Sequence, residues 1–296
     1  MSQTRLIINP IGGLANRMRA IASGISLMHA LYRHTPQGAI PVELNFIWRK
    51  NWELNAEFAD IFLMPTILQD RISYPSKLKY DFFYSIPRKK NLYISAITNL
   101  RHGLALYSLH DSYHRRFHAD TDGKILLATV LNALNKGQSC FLQSGTIFYP
   151  FADDTYINLF KPTDEIRRQS DLRLKALGSN KIGLHIRRSD NIESIKYSPD
   201  YLFIDKVTDI LQRNPATRFY LATDDALIKL KFTRIFGDRI ISSDAPAYRN
   251  SVDGIKEAAI ELFTLAGTDK IFGSYYSSFS EAAAMLGQKP FEQLTI

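Results

Sequence analysis

From residue 181 to the end of the chain, short apolar runs alternate with amphipathic stretches of ten to fifteen residues. Parallel strands need a crossover between them, and a helix is the usual one, so this alternation predicts a parallel sheet covered by helices. The runs Lys181–Ile186, Arg218–Ala222, Arg239–Ile241 and Lys270–Phe272 read as strands. Between them, Leu202, Phe203, Val207, Ile210 and Leu211 recur at helical spacing from about Pro199 to Arg213, ahead of an Asn214-Pro215 stop. Further helices start near Ala226 and Val252, and a last one covers Ala282–Leu286. Four such units make one Rossmann-like domain.

The first half opens in the same way, with a strand Arg5–Asn9, a Gly12-Gly13 turn and a helix from about Ala15 to Tyr32. Between Asp70 and Asp122 the pattern dissolves into Tyr, Lys, Arg and His, and no elements can be assigned. Thr163, followed by Asp164 and Glu165, has the composition of a helix start, which places a domain boundary after residue 162. The expected fold class is therefore α/β, with an N-terminal domain over 1–162 and a nucleotide-binding domain over 163–296. A chain of 296 residues is long enough for two such domains.

Charge narrows the partner class. The formal charge of +8 favours anions such as phosphates, sugar nucleotides, anionic lipid surfaces or nucleic acid. The single cysteine, Cys140, excludes an intramolecular disulfide and a thiolate zinc site and fits a reducing compartment. The apolar run near the start is too short for a signal peptide, and no stretch reaches the ~20 apolar residues of a membrane span. The expectation is a soluble, cytoplasmic chain without a transmembrane segment, leaving room for peripheral membrane contact.

Four constellations carry the chemistry. His185-Ile186-Arg187-Arg188-Ser189-Asp190 ends the first strand of the second half, at the sheet edge where open α/β folds bind ligands. Adjacent arginines on an extended chain point to opposite sides, so one can meet a phosphate while the other pairs with an acid that holds the loop. A solvated surface pair is the plainer reading, and the strand-end position weighs against it. Thr223-Asp224-Asp225 ends the next strand; either acid can orient an arginine, bind a nucleotide or cap the following helix. Gly273 to Glu281 carries Ser277, Ser278 and Ser280 into a helix N-terminus, a place suited to phosphate as well as to ordinary capping. Gly12, Gly13 and Asn16, with Arg17, form a weaker loop of the same kind. His110, His114 and His118 would share one face of a helix, but Arg115 and Arg116 between them repel a cation, so a solvated basic face is expected and no metal site.

Taken in order, Gly-Gly-Leu-x-Asn-Arg, His185-Ile-Arg-Arg-Ser-Asp190, Ala222-Thr-Asp-Asp225 and Ser274-Tyr-Tyr-Ser-Ser-Phe-Ser280 resemble the motifs of the fucosyltransferase superfamily. That superfamily includes the nodulation α-1,6-, the α-1,2- and the protein O-fucosyltransferases. The resemblance implies a GT-B-like arrangement of two Rossmann-like domains facing across a cleft, GDP-fucose as donor, a glycan acceptor on the N-terminal side and no metal cofactor. It implies that Arg187 binds the donor's β-phosphate, that His185 assists, and that Arg188 and Asp190 shape the loop. Thr223 and Asp224 would support the donor pocket, with Ser277, Ser278, Ser280 and Glu281 around the phosphates and Gly12, Gly13 and Asn16 contributing from the first domain. Beyond Asp190 the stretch Asn191-Ile192-Glu193 departs from the α-1,6 enzymes, which leaves the linkage open.

The expected reaction is an inverting glycosyl transfer in carbohydrate biosynthesis, with Arg187 as the catalytic electrophile and Asp190, Glu193 and Asp224 all open as general base. A transferase for another nucleotide sugar and a non-catalytic nucleotide- or sugar-binding protein are the rivals. Nucleic-acid binding through the Arg71–Arg116 region is not expected, because its charges are interleaved with apolar and aromatic residues as in a folded layer.

Overall fold

The computed structural model describes residues 4–34, 42–76, 107–109, 123–245 and 247–296. The chain forms two compact units, residues 1–50 with 64–155, and residues 51–63 with 156–296. The histidines at 110, 114 and 118, and most of the stretch from 70 to 122, lie outside the described residues.

In the first unit, strands β1 (Arg5–Pro10), β2 (Glu43–Ile47), β3 (Ile72–Ser73), β4 (Tyr107–Leu109) and β5 (Cys140–Ser144) line up in the order β3-β2-β1-β5-β4. Every pairing is parallel, with Leu6 opposite Leu44 on one side and Cys140 on the other. Helix α1 (Leu14–His34) follows β1, and α2 (Lys124–Asn135) precedes β5. Helix α1, expected from about Ala15 to Tyr32, buries Met18, Ile21, Ile25 and Met28 at helical spacing. None of β2, β3, β4, β5 and α2 is assigned from the sequence.

The second unit repeats the plan. After α3 (Asp153–Leu159) and α4 (Asp164–Leu177) come β6 (Lys181–Ile186), α5 (Ile192–Tyr197), α6 (Asp200–Arg213), β7 (Arg218–Thr223) and α7 (Ala226–Phe236). These are followed by β8 (Ile240–Ser242), α8 (Val252–Ala266), β9 (Lys270–Ser274), α9 (Ser278–Gly287) and β10 (Phe291–Leu294). The strand order is β10-β9-β6-β7-β8, again parallel throughout. On one face Leu184, Ile186, Phe219 and Leu221 pack with Phe203, Val207 and Phe232 from α6 and α7. On the other, α8 comes close to the sheet at Gly183, where a Cβ would stand 2.9 Å from both Leu265 Cδ2 and Thr268 Oγ1. The all-parallel α/β architecture expected from the sequence is present in both units.

Segment 51–63 joins the second unit through aromatic packing. Phe62 lies 5.2 Å from Phe160 and 6.3 Å from Phe263 between ring centroids, and Phe58 lies 5.1 Å from Phe62. Leu63 N donates to Lys161 O at 2.9 Å, and Asn55 N donates to Arg249 O at 3.0 Å.

Candidate functional site

The carboxyl ends of β6, β7 and β9 lie side by side, so the loops that follow them share one edge of the second sheet. In parallel α/β sheets this edge is where ligands bind, because helix N-termini and loop backbone amides gather there. The sequence places His185 to Asp190, Thr223 to Asp225 and Gly273 to Glu281 at these strand ends.

The two arginines after β6 take separate directions. Arg188 turns inward and is 7% exposed. Its Nε donates to Asp200 Oδ1 at 3.0 Å, Nη1 to Arg187 O at 2.8 Å and Nη2 to Ser198 O at 3.0 Å, while Lys231 Nζ donates to Asp200 Oδ2 at 2.8 Å. All three guanidinium nitrogens are engaged, so Arg188 fastens the loop to the start of α6. Arg187 points the other way and ion-pairs with Asp190 and with Asp224. Its backbone N donates to Ser274 Oγ at 3.0 Å, which ties the β6 loop to the end of β9.

The adjacent acids after β7 also divide their work. Asp224 Oδ1 accepts from Arg188 N at 2.8 Å, and Oδ2 accepts from Ser189 Oγ as well as pairing with Arg187. Asp225 caps α7, accepting from Leu227 N at 2.8 Å. Thr223 is buried beneath them, and its Oγ1 accepts from Asp225 N at 3.3 Å. Asp190 is open to solvent on one side and also accepts from Arg249 Nη1 at 3.3 Å. Partial burial raises its pKa, but Arg187 and Arg249 outweigh that, so the carboxyl is held below its ordinary value and stays ionised.

His185 lies underneath, 6% exposed. Its Nδ1 stands 3.3 Å from Ser280 Oγ and 3.4 Å from Ser277 Oγ, and its ring packs at 4.9 Å on Phe279. Burial lowers its pKa to about 4; Asp224 opposes that shift and Arg187 and Arg188 add to it, so the imidazole is neutral near pH 7. Gly273 makes this contact possible, because a Cβ there would lie 2.4 Å from Ser280 Oγ. Ser277 is the N-cap residue of α9, and Ser278 and Glu281 lie in its first turn. In the first unit, Gly12 follows β1 with φ 83°, and its missing Cβ leaves room for Asn16 Nδ2, which a Cβ would meet at 2.5 Å.

Thus His185, Arg187, Arg188, Asp190, Thr223, Asp224, Ser277, Ser278, Ser280 and Glu281 gather at one sheet edge, while Gly12, Gly13 and Asn16 stand in the other unit, after β1. Three participants escape the sequence reading, and Ser274, present in the motif, has a role only the structure shows. Asp200 looks like an ordinary first-turn acid of α6. Asn191, whose Oδ1 caps α5 and whose Nδ2 donates to Tyr276 O at 2.9 Å, looked like a departure from a motif. Arg249 lies far along the chain, with no local signal. Among the described residues no group of three or more His, Cys, Asp or Glu is placed to hold a metal ion, and no helix is long and apolar enough to cross a membrane.

Two parallel-sheet units, one with a guanidinium and a helix N-terminus at its carboxyl edge, define a GT-B-like α/β chain. No protein-family model matches the sequence, and no curated protein matches it either. Solved structures do. The chain is similar to the Bradyrhizobium NodZ α-1,6-fucosyltransferase, whose structure was determined after soaking with GDP-fucose, at 16% identity and a TM-score of 0.57, over 96% of this chain and 93% of that one. It is likewise similar to POFUT1 in complex with GDP (11% identity, TM-score 0.56, 99% of both chains). A variant of Arabidopsis thaliana FUT1 in complex with GDP matches at 14% identity and a TM-score of 0.57, over 99% of this chain and 70% of that one. At these identities the likeness is one of architecture: the chain has a fucosyltransferase-like fold.

Proposed function

We propose that this chain is an inverting glycosyltransferase that moves fucose from GDP-fucose to a glycan acceptor without a metal ion. The observation that carries the reading is Arg187, held at the carboxyl edge of β6 between two carboxylates and tied through Ser274 to the strand that leads into α9. The fold likeness to proteins solved with GDP or GDP-fucose supports it.

Glycosyl transfer builds positive charge on the sugar and negative charge on the departing diphosphate. A fixed guanidinium and the positive end of α9 stabilise that leaving group most when its charge is greatest, which is the requirement for catalysis. Arg187 is the catalytic cation in this account, and the donor's phosphate oxygens exchange with the carboxylates that hold it. Neutral His185 keeps Ser277 and Ser280 in register below the phosphates. The acceptor hydroxyl oxygen attacks the anomeric carbon as the bond from that carbon to the phosphate oxygen breaks. Ionised Asp190 stands at the same edge and can receive the hydroxyl proton, and GDP departs.

Gly12, Gly13 and Asn16 keep their donor-binding role in the proposal, and the N-terminal domain is assigned the part of the acceptor remote from the reacting hydroxyl. The setting we assign is cytoplasmic carbohydrate biosynthesis, in keeping with the donor class and with the buried, unpaired thiol of Cys140. A thermal-shift screen against GDP, UDP, CDP and ADP in chelator, followed by GDP-fucose, tests the reading. Stabilisation by GDP above the other three is expected, about 2.7 kcal/mol at a hundredfold excess over Kd. Selective stabilisation by another nucleotide would give the site to a different sugar nucleotide, and no response to any of them would refute it.

A further inference from the structure

The loop between β9 and α9 contains a residue that the phosphate chemistry does not use. Tyr276 is 72% exposed and has φ 54°, in the left-handed region that a bulky side chain rarely occupies. A glycine or asparagine would take that conformation more easily, and a polar residue would be better suited to the exposure. The conformation is held from outside the loop: Asn191 Nδ2 donates to Tyr276 O at 2.9 Å, and Asn191 is itself fixed by accepting from Ser194 N at 3.0 Å. Behind it, Tyr275 N donates to Ser198 Oγ at 2.7 Å, and the Tyr275 ring packs edge-on against Tyr197 at 5.2 Å. Tyr276 is thus an exposed aromatic ring on a rigid base, 6.1 Å from the Tyr275 ring. Asn191 is flanked in sequence by Asp190, the exposed and ionised carboxylate, and by Ile192, 76% exposed.

We infer that Tyr276, with Asp190 beside its anchor Asn191, forms a subsite for a pyranose ring of the acceptor. A pyranose has an apolar face of C–H groups and an edge of hydroxyls, so it is recognised by a flat exposed aromatic surface with polar groups at its margin; Tyr276 supplies the ring, and the exposed Asp190 precedes the residue that anchors it. The inference rests on the glycosyltransferase reading for its occupant, but binding of a sugar can be measured without it.

The test is a titration of the full chain with methyl glycosides of glucose, galactose, mannose and N-acetylglucosamine, followed by saturation-transfer difference NMR, alongside GDP titrations of the same samples. At least one glycoside should bind. Tyr276→Gly should weaken it by roughly tenfold, the fold-change of one lost aromatic platform of about 1.4 kcal/mol. Because glycine accepts the left-handed conformation, this variant should melt no lower than wild type, so weaker binding cannot be put down to misfolding. Tyr276→Phe, which keeps the ring, should bind the glycoside within twofold of wild type. Equal glycoside affinity in wild type and Tyr276→Gly, or binding of none of the four, overturns the inference even when GDP binds normally. Failure to bind GDP with a Tyr276-dependent glycoside signal intact would leave the subsite standing and remove the nucleotide reading.

Discussion

Substituting each of the neighbouring arginines by alanine separates a residue that holds the fold from one that holds the ligand. Arg188→Ala removes a guanidinium whose three nitrogens are all engaged, in a side chain 8% exposed. Its loss strips Ser198 O of its donor and takes from Asp200 the buried half of its charge balance. Breaking a buried pair costs about 3–5 kcal/mol. The low end applies, since Asp200 is 24% exposed and keeps Lys231, and Arg187 O still accepts from Ser194 Oγ at 3.0 Å. At about 2–4 °C per kcal/mol for a domain of this size, the melting temperature should fall by roughly 6–12 °C. Arg187→Ala should cost less, about 1–2 kcal/mol, because Asp190 is 57% exposed and retains Arg249, and Asp224, although 21% exposed, retains the Arg188 amide and the Ser189 hydroxyl. Scanning calorimetry checks both. A shift below 2 °C for Arg188→Ala, or equal shifts for the two variants, would refute the division of roles.

Asp225→Ala should cost roughly 1 kcal/mol through the lost N-cap of α7 and leave GDP affinity unchanged, as urea denaturation and a binding titration will show. Gly273→Ala forces a Cβ against Ser280 and the Phe291 ring, so it should destabilise the second unit by about 1–3 kcal/mol in urea denaturation and weaken GDP binding by moving the start of α9. Glu261, buried on α8, has its pKa pushed up to about 8 by burial, with Lys229 and Arg173 opposing and Glu257 and Asp224 adding to the rise. The folded chain then holds one more proton than the unfolded chain between the ordinary value of 4.5 and about 8, so this group makes stability fall as pH rises through that window. Glu261→Gln should therefore gain more over wild type at pH 8 than at pH 5, measured by denaturation at both.

Much of this site is legible in the sequence because strand ends are. Apolar runs such as Lys181–Ile186 end on charged residues, and the parallel arrangement puts all such ends on one edge, so His185 to Asp190, Asp224 and Ser277 to Ser280 come together without any need to know side-chain conformations. What the sequence does not carry is the choice between equals. Two adjacent arginines and two adjacent aspartates have the same local context, and only tertiary partners, Asp200 for Arg188 and the start of α7 for Asp225, separate them. Segment 51–63 is a similar case: Phe58 and Phe62 are ordinary apolar residues until Phe160 and Phe263 are seen beside them. Asn191 looked like a mismatch to a motif, although its side chain caps one helix and fixes the carbonyl of Tyr276.

Isothermal titration of GDP into wild type and Arg187→Ala, in the presence of chelator, bears most directly on the role given to that guanidinium. A charge-assisted contact of about 1.5–3 kcal/mol predicts a loss of affinity of roughly 10- to 150-fold with the fold retained. An unchanged Kd in the folded variant would contradict the account.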